Sequence, residues 1–258
     1  MDFRIKRLEK FEDCQHGYCC MTEVPTPWPE ALCQCREWLG QNLGQHVEGY
    51  HLESIAENQV IGQLYYSPSE TALIPYHAEA GATIVYCEWI QHRFQGQGLG
   101  HMLFNRLRED LLQTASKGII VEATDREEHM HFRHYIARGF EPLAEWAHHR
   151  LLYFPLHQSS IQVTPIVAKV QIHSGDPVEI VIVSGFACPF DAGTEGVLLE
   201  VANEFGSRVQ VVRKALSEAI LQQYGAAVGI FINNQQLLSG GETEEEIRQV
   251  LSKELGVA

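Results

Sequence analysis

Alternating β-rich and helical stretches across 258 residues predict a mixed α/β (α+β) protein built as two domains. Thr83-Ile84-Val85-Tyr86-Cys87-Glu88-Trp89-Ile90 is rich in β-branched and aromatic residues. A glycine-rich turn, Gln95-Gly96-Gln97-Gly98-Leu99-Gly100, joins it to a run in which Leu99, Leu103, Leu107 and Leu111 recur four apart, as on one helix face. The same alternation restarts at Val178, after a crossing segment. The predicted domains are 1–155 and 177–258, with 156–176 between them.

Residues 1–12 read as a strand and turn. A cluster at Cys14, Cys19 and Cys20 and a proline-rich loop around Pro25 and Pro27 precede a helix over Glu30–Asn42, with Leu32, Trp38 and Leu39 as its apolar positions. His46 to Leu52 and Ser54 to Ser67 alternate as antiparallel strands, with Glu57-Asn58-Gln59 as a hairpin turn. On the central strand Glu88 and Ile90 share a face. Gly118–Ala123 is the next strand. Asp125–Tyr135 reads as a polar helix, and Gly139 just beyond suits a left-handed cap. Leu151–Phe154 is a further strand, closed by Pro155. The crossing segment holds a short strand at Ile166–Ile172. The second domain then reads strand 178–183, helix 194–205, strand 209–212, helix 217–224, strand 228–232, a turn at 233–236, strand 237–239 and helix 243–255.

The glycine turn carries the most specific chemistry. Where a strand passes through glycines into a helix, backbone N–H groups point outward and the helix dipole adds partial positive charge, which suits a phosphate-bearing ligand. A dinucleotide fingerprint, G-x-G-x-x-G, fails here: His101 or Leu103 stands where the third glycine belongs. A P-loop fails for want of G-K-[S/T].

The stretch resembles the pyrophosphate loop of the GNAT acetyltransferases, [Q/R]-x-x-G-x-[G/A], through Gln95, Gly98 and Gly100. Downstream, Tyr135-Ile136-Ala137-Arg138-Gly139-Phe140 matches that family's Tyr-x-x-x-Gly-Phe element. The resemblance implies acetyl-CoA as cosubstrate and transfer of acetyl to an amine. It places the pyrophosphate on the backbone of Gln95, Gly96, Gln97, Gly98, Leu99 and Gly100. It places the pantetheine arm beside Ile90 and Gln91, where a bulge at the strand's end opens a cleft, and makes Tyr135 the acid that protonates the departing thiolate. A carboxylate near the bulge is wanted as base, Glu88 first and Glu122 second. Arg93, in the adjoining loop, is read either as a phosphate contact or as a solvated charge. No metal is expected. His131 and His134, at helical neighbour spacing, read as exposed groups near a cofactor groove in preference to a metal pair.

The second domain's order, β-α-β-α-β-β-α with Cys188-Pro189 opening its first helix, resembles the thioredoxin fold. The pair of domains together is similar to the YoaP-like acetyltransferases. Asp191 stands where a resolving cysteine would, and Gly225-Ala226-Ala227 replaces the usual cis-proline. Cys188 is thus a reactive thiol or a binding cysteine.

The net charge of −14 argues against nucleic acid, which demands a basic surface. No apolar run is long enough for a membrane helix, and Met1–Lys6 lacks a signal peptide's apolar core, so a cytoplasmic protein is expected. Seven cysteines without a C-x-x-C pair form neither a disulfide framework nor a usual zinc site. Cys14, Cys19, Cys20, Cys33 and Cys35 read as structural thiols or as a metal- or thiol-sensing site, and the resemblance puts them where they would line the acceptor pocket. Two rivals stay open: a CoA-binding sensor that transfers nothing, and a thiol-redox protein working through Cys188. Neither the acceptor nor the oligomeric state is legible.

Overall fold

The computed structural model describes residues 2–22, 29–125, 130–146, 149–175, 177–185, 188–189, 192–238 and 242–257. The chain divides into two compact units: Met1–Pro27, Leu32–Ala72 and His77–Thr164 form one, and Trp28–Ala31, Leu73–Tyr76 and Pro165–Ala258 the other.

The first unit is built on a seven-stranded sheet. Its strands are β1 (Phe3–Arg7), β2 (Glu48–Ser54), β3 (Gln59–Pro68), β5 (Ala82–Ile90), β6 (Gly118–Ala123), β7 (Glu141–Trp146) and β8 (His149–Pro155), in the order β1-β2-β3-β5-β6-β8-β7. A short β4 (Tyr76–Ala78) pairs instead with β9 (Val163–Pro165). Neighbours in the large sheet run antiparallel except β5 and β6. A parallel pair needs a crossover, and α3 (Leu99–Leu112) supplies it. Its leucines at 99, 103, 107 and 111 are buried together with Phe104 against Val85, Ile119 and Val121. Each such side chain contributes about 1.5–3 kcal/mol of burial.

On β5 two irregularities coincide. Tyr65 of β3 faces Cys87 while Tyr66 faces Val85, so Tyr86 is an extra, bulged residue. Pairing of β5 with β6 covers Ala82–Val85 and stops there. The two central strands therefore part from Tyr86 onward.

The opposite face of the sheet is covered by α1 (Phe11–Cys14), a 3-10 turn at Cys19–Thr22 and α2 (Pro29–Asn42). Tyr18 packs edge-on against Tyr65, and a Cβ on Gly17 would touch both the Tyr65 hydroxyl and Leu39.

Three expectations change. The helix expected from Asp125 is the shorter α4 (Phe132–Ala137): Thr124 bridges to His131, whose Nδ1 accepts from the Arg133 N–H and caps the helix, and Arg126–His129 lie outside the described residues. The hairpin partner β7 went unread, because Pro142 and weak alternation hide it. No strand forms over Ile166–Ile172. There the Lys169 N–H donates to Gln223 O and that of His173 to Asn233 O, so the backbone is spent on a helix and a turn of the second unit.

That second unit comprises β10 (Val178–Ser184), α5 (Ala192–Glu204), β11 (Val209–Ala215), α6 (Glu218–Tyr224), β12 (Gly229–Ile232), β13 (Gln235–Leu238) and α7 (Glu244–Glu254). Its sheet runs β11-β10-β12-β13, with β10 parallel to β11 and the other pairs antiparallel. Asn233 and Asn234, both at positive φ, close the β12–β13 hairpin in two residues. Thr243 and Glu246 form a capping box on α7.

Candidate functional site

Phe94 and Leu99 are buried and anchor the two ends of the glycine turn, leaving Gln95–Gly98 exposed between them. Gly96 (φ 73°) and Gly98 (φ 79°) are left-handed, and Gly98 caps α3. A Cβ at either would meet nothing within 4 Å, so both point into open space. The first-turn N–H groups of a fourteen-residue helix open beside them. Such a turn fits a diphosphate. The Gln95 side chain is committed elsewhere: its Nε2 donates to Ile90 O (2.8 Å) and ties the turn to the end of β5.

Along β5 beyond the bulge, the Gln91 N–H donates to Ile61 O on the β3 side. Backbone groups alternate along a strand, so those of Ile90 and Glu88 point the other way, to the edge that β6 has left. The Ile90 backbone thus faces the open edge, whereas the Gln91 amide is spent on β3. Arg93 pairs with Glu57 (2.7 Å) and lies over the Phe94 ring, as a partnered surface charge.

Glu88 faces α3 and α4. Arg138 Nη1 donates to both of its carboxylate oxygens (2.7 and 2.6 Å), and the Tyr135 hydroxyl donates to Oε2 (3.4 Å). The side chains of Arg138 and Glu88 are only 13% and 6% exposed. Burial works to lower the Arg138 pKa, but the Glu88 carboxylate outweighs it and raises the value. Tyr135 is buried, and burial first, then the Glu88 charge, pushes its phenol well above the usual 10, so it keeps its proton. Glu122 lies between Val121 and Ala123, both in the core on the α3 side, so alternation turns it to the opposite face. The two carboxylates are on different faces of the sheet.

That opposite face carries a polar cluster. The Cys19 N–H donates to Gln63 Oε1 (2.8 Å), Gln63 Nε2 donates to Cys87 Sγ (3.3 Å), and Tyr65 meets His51 Nε2 (3.0 Å). Arg36 Nε donates to Gly17 O (3.0 Å). Cys14 and Cys35 are buried, and Cys33 is exposed. Among the described residues no group of three or more His, Cys, Asp or Glu side chains is arranged to hold a metal. Cys188 is partly exposed, while Phe190 and Asp191 lie outside the described residues.

Sequence reading missed Arg138. The available signal was its spacing from Tyr135, three residues on and so on the same side of a helix.

No protein-family model matches the chain, and no curated protein matches it in sequence. Solved structures do. A protein assigned to the GNAT acetyltransferases from Desulfovibrio desulfuricans is 16% identical, with 60% of this chain and 98% of that one covered and a TM-score of 0.46. A GNAT-family acetyltransferase from Staphylococcus aureus is 9% identical over 60% and 99%, with a TM-score of 0.44. The PaiA N-acetyltransferase of Thermoplasma acidophilum, solved in complex with coenzyme A, is 10% identical over 60% and 100%, with a TM-score of 0.42. No helix among the described residues is long and apolar enough to cross a membrane.

Proposed function

We propose that the chain is an acetyl-CoA-dependent N-acetyltransferase acting on an amine. The observation that carries this reading is the edge of β5 opened from Tyr86 onward, with an outward-facing glycine turn at its end and a buried, protonated tyrosine beside it. The backbone of Gln95–Gly100 binds the diphosphate, and the outward peptide groups of Glu88 and the Ile90 N–H pair with the pantetheine amides. Acetyl-CoA supplies the thioester.

Glu122, directly or through one water, accepts the proton of the attacking amine. Its face of the sheet is the one opposite α3 and the glycine turn, so the base and the diphosphate turn approach the parted strands from different sides. Glu88, the first choice from sequence, has both carboxylate oxygens held by Arg138. As the C–N bond forms and the C–S bond breaks, Tyr135 gives its proton to the sulfur. Solvent returns a proton to Tyr135 and takes one from Glu122. Holding the two reactants together supplies much of the rate.

Net charge of −14 favours a small amine over nucleic acid. For the second unit, the sheet order β11-β10-β12-β13 with one parallel pair supports a thioredoxin-like reading. The test is chromatographic detection of coenzyme A released from acetyl-CoA with a panel of amines, beside thermal stabilisation by acetyl-CoA. Stabilisation with no release for any amine would instead favour the sensor, and the absence of both effects would overturn the assignment.

A further inference from the structure

Resting on the acetyltransferase reading, we propose that Arg138 is a positioning residue: through Glu88 it fixes where the Tyr135 hydroxyl points. The Tyr135 ring is already held, since it packs edge-on against Phe140 (centroids 5.3 Å apart) in a cluster that includes Phe104 and Phe154. What ring packing leaves undecided is the direction of the O–H bond, and the Glu88 Oε2 oxygen decides it. Glu88 itself does not swing, because one Arg138 nitrogen holds both of its oxygens. The guanidinium is in turn fixed over the rings of Phe104 (5.7 Å) and Tyr135 (5.5 Å). Gly100 leaves the space it occupies.

The arrangement has a chemical consequence. At 3.4 Å the hydroxyl is oriented by Glu88 but weakly held, so the contact does not tie its proton to the carboxylate. A carboxylate stripped of Arg138 would draw that proton more strongly and turn to meet it. Arg138 thus keeps the acid free to act. Stability alone gives no reason for the pair, since apolar side chains of similar size commonly replace a buried ion pair without loss.

The experiment compares wild type, Arg138→Met, Arg138→Lys, Tyr135→Phe and the Arg138→Met/Tyr135→Phe double variant, each checked for folding. With acetyl-CoA saturating, Arg138→Met is expected to lower kcat by about 10- to 100-fold, with the KM for acetyl-CoA changed less than about twofold. Lysine, a point charge unable to match the carboxylate's fork, restores part of the loss and serves where methionine prevents folding. In the Tyr135→Phe background the methionine is expected to have no further effect, because the residue through which it acts is gone. An equal loss in both backgrounds, or no loss in either, overturns the proposal. A second reading needs no turnover: in protein labelled at tyrosine 13Cζ, Arg138→Met should move the Tyr135 resonance, assigned by its absence in Tyr135→Phe. An unmoved resonance overturns positioning. A moved resonance in a wild type without turnover for any amine overturns only the acetyltransferase reading.

Discussion

A Cβ placed on Gly100 would stand 2.9 Å from Arg138 Nη2 and 3.1 Å from Glu88 Oε1. The glycine at the start of α3 and the buried ion pair beneath it are therefore one fitted unit. The loop pattern this chain resembles admits alanine at that position, but the geometry here does not accept it without displacing Arg138. Gly100→Ala is expected to gain up to about 1 kcal/mol in helix propensity and lose a similar amount in the shifted pair, leaving stability nearly unchanged. Acetyl transfer is expected to fall by about tenfold, since small misplacements near the chemistry are costly. Denaturant titration and steady-state kinetics check the two halves separately, and an unchanged kcat would show that the pair yields without consequence.

Gly98 fails alanine for a different reason. Its Cβ would meet no protein atom, but φ of 79° costs a side-chain-bearing residue about 1–2 kcal/mol. Gly98→Val adds bulk in the space proposed for the diphosphate. It is expected to abolish thermal stabilisation by acetyl-CoA, while Gly98→Ala reduces it. A valine variant that binds as wild type does would move the ligand off this turn.

The core of the first unit was legible because its signals are local. Alternation along Thr83–Ile90, glycines at 96 and 98 and leucines every four residues are each read within a few positions, and they return as β5, the turn and α3. The pairing of Glu88 with Arg138 spans fifty residues and has no local signature. Nor does the sequence say which residue forms the bulge that the resemblance implied: one extra residue at Tyr86 reverses the alternation, which decides that Glu88 faces α3 and Cys87 faces Gln63. The face of Glu88 followed from that parity and could not be assigned before it.

His51 makes stability depend on pH. Burial, with His16, Lys6 and Arg36 nearby acting in the same direction and Asp13 opposing, lowers its pKa from 6.5 to about 3. Its ring meets the Tyr65 hydroxyl at 3.0 Å. The unfolded chain takes up a proton below 6.5 that the folded ring refuses, so this contribution is whole above pH 6.5 and is lost progressively as pH falls toward 3. Between pH 7 and 5 the loss is on the order of 2 kcal/mol. His51→Gln is expected to be less stable at pH 7 yet to lose about that much less on acidification, by urea titration at both values. Equal losses in the two proteins would remove His51 as the source.

The seven thiols should separate by reactivity. Burial, with the Asp13 charge adding to it, pushes Cys14 up to about 11. Cys87 keeps part of its surface exposed, but the groups around it take its sulfur out of water and push it up to about 12, with the Gln63 N–H opposing. The thiolate is the nucleophile, so at pH 8 both should alkylate at least about 100-fold more slowly than the exposed Cys33. Cys188 is partly exposed and is expected to react between these extremes. Iodoacetamide labelling followed by peptide mass mapping gives the order. Because Cys188 belongs to the second unit and the glycine turn, Tyr135 and Glu122 to the first, Cys188→Ser is expected to leave kcat for acetyl transfer within about twofold. A large loss of transfer with acetyl-CoA binding intact would place Cys188 in the reaction and overturn that division of labour.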